Sequence, residues 1–97
     1  MKKLIFEWDD TKNERNQIKH GVSFEEARSV FFDQKAVEFY DDVHDQQEER
    51  FLLLGVSAKL RILMICHCHR AGNDVIRIIS ARKATKNEQR EYPWGGK

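Results

Sequence analysis

No stretch of this chain approaches the ~18–20 consecutive apolar residues of a membrane-spanning helix, so a helical membrane protein is not expected. A secretory signal is also missing: Lys2 and Lys3 are followed by only Leu4, Ile5 and Phe6 before Glu7. The cytoplasm is therefore the expected location. Glycine is scarce, with five residues and none clustered ahead of a helix. There is no Walker loop, G-x-G-x-x-G, G-x-S-x-G or paired-carboxylate motif. Those absences exclude P-loop nucleotide binding and most cofactor-dependent chemistry, and no cofactor is expected. The two cysteines, Cys66 and Cys68, sit two apart on an expected strand, where a mutual disulfide would be strained. They read as reduced, buried thiols, which suits a reducing compartment.

What the chain does have is enough for one domain over residues 1–97. Apolar residues make up 40% and mean hydropathy is −0.70, which allows one core beneath a polar surface. Net charge is only +1, but it is unevenly laid out. Residues 41–49 hold five acids and no lysine or arginine; residues 50–73 hold Arg50, Lys59, Arg61 and Arg70 and no acid. A basic half of this kind suits nucleic acid, and equally an acidic protein partner.

Along the chain, residues 3–8 alternate, with Leu4, Phe6 and Trp8 on one side, and read as a short strand. Asp9 or Asp10 can cap a helix that runs to His20 and stops at Gly21. That helix is polar, with Ile18 its only large aliphatic residue. Ser23 and Glu26 have capping-box spacing, and Phe24, Ala27, Val30 and Phe31 follow at helical spacing, which predicts a helix over 23–32. Strands are predicted over 36–40, 50–56 and 60–68, with turns near 33–35, 57–59 and 71–74 and an acidic loop between the first two strands. Val75, Ile76, Ile78 and Ile79 begin a last strand that turns basic at Arg82 and Lys83. Thr85 and Glu88 form another capping box, so a helix starts at Lys86; Pro93 stops it, and the last four residues read as a loose tail. Helices followed by hairpin-linked strands predict an α+β fold: an antiparallel sheet with helices on one face, the other face left for function.

The last strand thus delivers two cations to the start of a helix, where free N–H groups favour an anion. One reading is a phosphate site; the other is an ordinary strand–helix junction with solvated charges. The cluster Cys66-His67-Cys68-His69 invites a metal, but on a strand the cysteines and histidines point to opposite faces. No second C-x-x-C or H-x-x-x-H supplies missing ligands, so no metal is expected, and a site at His67 and His69 is the least favoured alternative. Arginine on strands offers different chemistry. Metal-free RNA cleavage must deprotonate a 2′-hydroxyl, stabilise charge at phosphorus and protonate the leaving 5′-oxygen. Arg50 and Arg82 can serve the second need by bidentate phosphate bonding. His67 or His20 can serve the first or third, with Glu49 a weaker base. Lys19, Arg61, Lys83 and Lys86 are candidate RNA-backbone contacts. Each has a structural alternative: Arg50 paired with the acidic loop, His20 favoured by a helix C-terminus, His67 a satisfied core histidine, and Tyr92 packing rather than stacking on a base.

Several segments together resemble one family. They are Phe6-Glu7-Trp8-Asp9, Asn16, the run KHGVSFEEA at 19–27, Glu49-Arg50-Phe51 with Leu54-Gly55, and IRIISARKAT at 76–85 with Glu88 and Tyr92. In this order, over nearly the whole chain, they resemble the BrnT-type toxins. The resemblance implies a RelE-like α+β fold, metal-independent endoribonuclease activity and arrest of translation. It also implies a BrnA-like antitoxin through which the pair contacts operator DNA, and a toxin–antitoxin heterotetramer. Carried over by position, it favours Arg50 and Arg82 as site residues, then Lys19 and His20. The CHCH segment and the tail at 93–97 depart from the family pattern. A non-catalytic module that binds RNA or protein through its basic face remains the alternative.

Overall fold

A computed structural model of the chain describes residues 4–41, 48–70, 72 and 74–94. Part of the expected acidic loop (42–47), positions 71 and 73 of the expected turn and the end of the tail (95–97) lie outside the described residues. The elements are β1 (Ile5–Glu7), α1 (Asp10–His20), α2 (Phe24–Val30), β2 (Val37–Asp41), β3 (Arg50–Val56), β4 (Ile62–Arg70), β5 (Val75–Lys83) and α3 (Lys86–Gln89). The five strands form one sheet in the order β1-β5-β4-β3-β2. The fold is α+β as expected. The three hairpin-linked pairs are antiparallel, but β1 runs parallel to β5, which makes the sheet mixed. A parallel neighbour requires a long crossover, and here everything between the two strands supplies it.

Local chemistry explains the helix ends. Of the two candidate caps for α1, Asp9 is the one used: its side chain accepts from the Lys12 N–H at 3.0 Å. Gly21 ends the helix at φ 70°, a left-handed conformation that costs glycine little. Ser23 caps α2 by accepting from the Glu26 N–H. The reciprocal half of that expected capping box is diverted, because the Glu26 carboxylate binds Arg61 and accepts from Ser57 Oγ at 2.6 Å.

One face of the sheet carries α1 and α2. Val22, Phe24, Ala27 and Val30 pack there against Leu53, Leu63, Ile65, Ile78 and Ala81. On the opposite face, Leu54 and Met64 are covered by Ala84 and Tyr92 from the C-terminal segment, which leaves the other end of that face open. Tyr92 is a packing residue, 7% exposed, and its hydroxyl donates to Asp33 Oδ2 at 2.8 Å. Burial, reinforced by the Asp33 carboxylate, pushes its phenol up to about 12.

At Gly55 on β3 the end of α2 comes close to the sheet. A Cβ there would lie 2.8 Å from Val30 Cγ1 and 3.0 Å from Ala36 Cβ. Gly55→Ala is expected to destabilise the fold by about 1–3 kcal/mol through overpacking. A thermal midpoint lowered by several degrees is the predicted reading, since 1 kcal/mol shifts a domain of this size by about 4–8 °C. An unchanged midpoint would mean that α2 yields freely.

Candidate active site

The open end of the sheet holds a depression of about 320 Å³ lined by Asp41, Arg50, Leu52, Cys66, Ile79, Ser80 and Arg82. Arg50 opens β3 and Arg82 nears the end of β5, so alternation alone does not bring them together; the strand order sets them on one face of the sheet, on either side of β4. Cys66 pairs with Ser80 and His67 with Ile78, so Ile79 is an extra residue, a bulge in β5. Beside it lies a second depression of about 190 Å³, lined by Lys12, Arg15, Asn16, Lys19, His20, Ile79 and Ser80. The two share Ile79 and Ser80 as a common wall. The structure thus brings together four of the expected residues: Arg50, Arg82, Lys19 and His20. Five permanent cations (Lys12, Arg15, Lys19, Arg50 and Arg82) line the pair of depressions, against one carboxylate, Asp41.

The two arginines are held differently. Arg50 stands opposite the buried Asp41 in the β2–β3 register, and its Nε is buried without a hydrogen-bond partner. Arg82 donates through Nη1 and Nη2 to the two oxygens of Glu88, both at 2.7 Å. Glu88 also accepts from the Thr85 N–H at 2.8 Å, while Thr85 Oγ1 accepts from the Glu88 N–H at 3.1 Å. The anion expected at the start of the last helix is therefore the protein's own carboxylate. That helix, α3, is only four residues long.

Arg82, followed by burial acting the other way, holds the Glu88 carboxyl down to about 2 from an ordinary 4.5. A carboxyl depressed by folding stabilises fully above its unfolded value and loses that contribution as pH falls through the folded value. In the wild type, stability should fall as pH drops from about 4.5 towards 2. Glu88→Gln should be less stable at pH 7 and should flatten that acid limb. Urea unfolding midpoints across this range check it; parallel curves for the two proteins would contradict the assignment.

The remaining expected residues lie elsewhere. Arg61 sits on the helix side, where Nε donates to Glu26 Oε2 at 2.9 Å, Nη2 reaches Glu26 Oε1, and Nη2 also donates to the Gly21 carbonyl at 3.0 Å. It clamps α2 to the turn before β4, and its charge is spent there. Lys83 is exposed and alternates onto the helix side of β5; Lys86 is exposed on α3. His67 is not brought to the arginines. It lies on the helix face with 0% exposure, against the rings of Phe31 and Phe51, and its Nε2 is 3.0 Å from Glu38 Oε2. Burial pushes its imidazole below the ordinary value, against the pull of the Glu38 carboxylate. Cys66 and Cys68 are free and buried, and burial pushes both thiols up, so neither is a ready nucleophile. Glu49 is exposed and does not line the depression.

Sequence reasoning missed Lys12, Arg15 and Ser80 at the site. Lys12, Arg15 and Lys19 recur at three- and four-residue spacing on α1, which places them on one helix face. That spacing was the available signal.

The family model of the ribonuclease toxin BrnT of type II toxin–antitoxin systems matches residues 8–88. No curated protein matches the chain. Among solved structures, the crystal structure of the Brucella abortus ribonuclease toxin, BrnT, is similar in fold. It is 24% identical, with a TM-score of 0.61 over 89% of this chain and 100% of that one. With 81 of 97 residues matched, this chain belongs to the BrnT family of ribonuclease toxins of type II toxin–antitoxin systems.

Proposed function

We propose that the chain, as one toxin domain over residues 1–97, is a metal-independent endoribonuclease whose activity arrests translation and growth. The observation that carries this reading is the convergence of Arg50 and Arg82 on one open depression, with Lys19 and His20 across the shared wall. A single strand of RNA lying over both depressions would meet cations on either side of Ser80. In the proposed step the 2′-hydroxyl oxygen attacks the adjacent phosphorus and its proton passes to a base. The bond from phosphorus to the 5′-oxygen breaks, and that oxygen takes a proton. The products are a 2′,3′-cyclic phosphate and a 5′-hydroxyl. Arg50 and Arg82 stabilise the charge that builds on the phosphoryl oxygens. His20 is the proton-transferring group best placed for the attack or the departure, and Lys19 holds a neighbouring phosphate. His67, sealed on the opposite face, has no part in this site. Lys86, exposed on α3, extends the cationic surface beyond it, while Lys83 would meet RNA only where a strand passes the edge of the sheet.

Membership of a type II family implies a protein antitoxin, and we assign it BrnA-like character. Covering the open sheet face would occlude the arginines and inhibit by the simplest means. A complex with two copies of each protein, contacting operator DNA through the antitoxin, completes the proposal, with the cytoplasm as its place of action. No described helix is long and apolar enough to cross a membrane.

Tightly controlled induction tests the reading, with growth and total RNA followed together. Growth arrest with RNA breakdown, reversed by co-expressing the antitoxin, is expected. Soluble protein that binds RNA and leaves it intact would instead favour a non-catalytic binding module.

A further inference from the structure

Away from the arginine depressions, on the helix face of the sheet, three side chains converge that the ribonuclease reading leaves unused. His67 and His69 are two apart on β4, so their rings project to the same face, with centroids 5.3 Å apart. Glu38 on β2 reaches across β3 to both. Its Oε2 lies 3.0 Å from His67 Nε2 and 3.5 Å from His69 Nε2. One ligand atom from each residue falls within 4.8 Å of the others.

We propose that Glu38, His67 and His69 bind a divalent transition-metal ion, with zinc the best match. Two imidazoles and one carboxylate form a donor set suited to zinc, and three protein ligands leave a fourth tetrahedral position open. Bonds of about 2.0–2.2 Å to a tetrahedral ion place ligand atoms roughly 3.3–3.5 Å apart. The two distances from Glu38 already stand close to that, so closure of the third pair is a side-chain adjustment. Charge is favourable too: two neutral imidazoles and a carboxylate carry −1, which a dication complements. An entry path exists, because the Glu38 side chain is 45% exposed and that of His69 is 27% exposed, while His67 anchors the site from below. Cys66 faces the arginine depression on the other side of the sheet, and Cys68, two residues on, shares that face, so the thiols are not part of the set. A bound ion would clasp the edge strand β2 to the central strand β4 across β3.

The full chain, stripped with EDTA and dialysed, is titrated with zinc sulfate alone and, separately, with cobalt(II). The expected result is one zinc per chain and a rise in thermal midpoint of at least about 4 °C at saturation. The cobalt spectrum should be that of a tetrahedral nitrogen–oxygen site with no thiolate charge-transfer band. His69→Ala removes a partly exposed ring and keeps the core. Loss of even an outer-shell partner costs about tenfold to a hundredfold in affinity, so His69→Ala and Glu38→Gln should each weaken zinc binding by at least about a hundredfold. No saturable uptake by the folded wild type would overturn the proposal. So would a thiolate band, or undiminished affinity in both variants.

Discussion

Arg50→Ala is expected to slow RNA cleavage by about a hundredfold or more in a protein that stays folded. Removing one preorganised donor to a developing anionic charge typically costs about 10²–10³ in rate. The folding half of the expectation follows from where Arg50 sits. Its side chain lies in the open depression and belongs to neither hydrophobic cluster of the core, and its Nε has no hydrogen-bond partner to lose. Arg50→Lys keeps the charge but not the planar fork and should fall between the two. Arg82 makes a less clean test, because its removal also frees the Glu88 carboxylate that organises the start of α3. Arg82→Lys is the better variant at that position, with a smaller structural penalty. Initial rates on RNA and urea midpoints, measured on the same preparations, check both halves. An Arg50→Ala protein that cleaves at the wild-type rate would move the chemistry away from this depression.

Asn16→Asp is expected to cause the largest loss of stability of any single change considered, about 3 kcal/mol or more. Asn16 Nδ2 donates to the Val22 and Ala81 carbonyls, both at 2.8 Å, and Oδ1 accepts from the Ala81 N–H at 3.1 Å. β1 pairs with β5 only at Val75–Arg77. Beyond that point the Asn16 amide takes both backbone groups of Ala81, much as a neighbouring strand would. A carboxylate there keeps the acceptor but turns two donated bonds into repulsions between oxygens, and each buried group left unsatisfied costs about 1–3 kcal/mol. For a domain whose total stability is typically about 5–15 kcal/mol, that is a large share. Because α1 carries Lys19 and His20, activity should fall as the helix loosens. A denaturant midpoint within about 0.5 kcal/mol of wild type would show that α1 is held by something else.

The same residue shows where sequence reading stopped. The polar character of α1 was visible, with Ile18 its only large aliphatic side chain, and Ile18 is indeed 87% exposed. What was not visible is that Asn13 and Asn16 are the buried residues of that helix, so that amide hydrogen bonds do the docking that apolar packing usually does. Asn16 and Ala81 are 65 residues apart, and no periodicity links them. Local signals carried further. The Thr85–Glu88 capping box, the αL stop at Gly21 and the strand sequence from β3 to β5 are all encoded within a few residues. Glu88 and Glu26 mark the boundary between the two kinds of signal. Each occupies a capping-box position, yet Glu88 also grips Arg82, and Glu26 abandons its box for Arg61, 35 residues away.

The site was legible to a similar depth. Alternation correctly separated the cysteines from the histidines of β4. Which of the two sets would face the helices depended on the register of β4 against β3 and β5, and that register placed His67 under Phe31 rather than beside Arg50. The parallel pairing of β1 was equally hidden, because a three-residue strand offers little pattern from which to fix direction. Glu38 was unremarkable in sequence and became notable only once β2 was laid beside β3.

Cleavage of RNA by the purified full chain in EDTA, with the ends of the fragments identified, tests the central claim most directly. The account predicts that cleavage persists without divalent metal and yields 2′,3′-cyclic phosphate and 5′-hydroxyl ends. An RNA with a 2′-deoxy sugar at the cleaved position should be inert. Cleavage that stops in EDTA, returns with added magnesium and leaves 3′-hydroxyl ends would contradict it, because the arginines would then not be carrying the charge of the reaction alone.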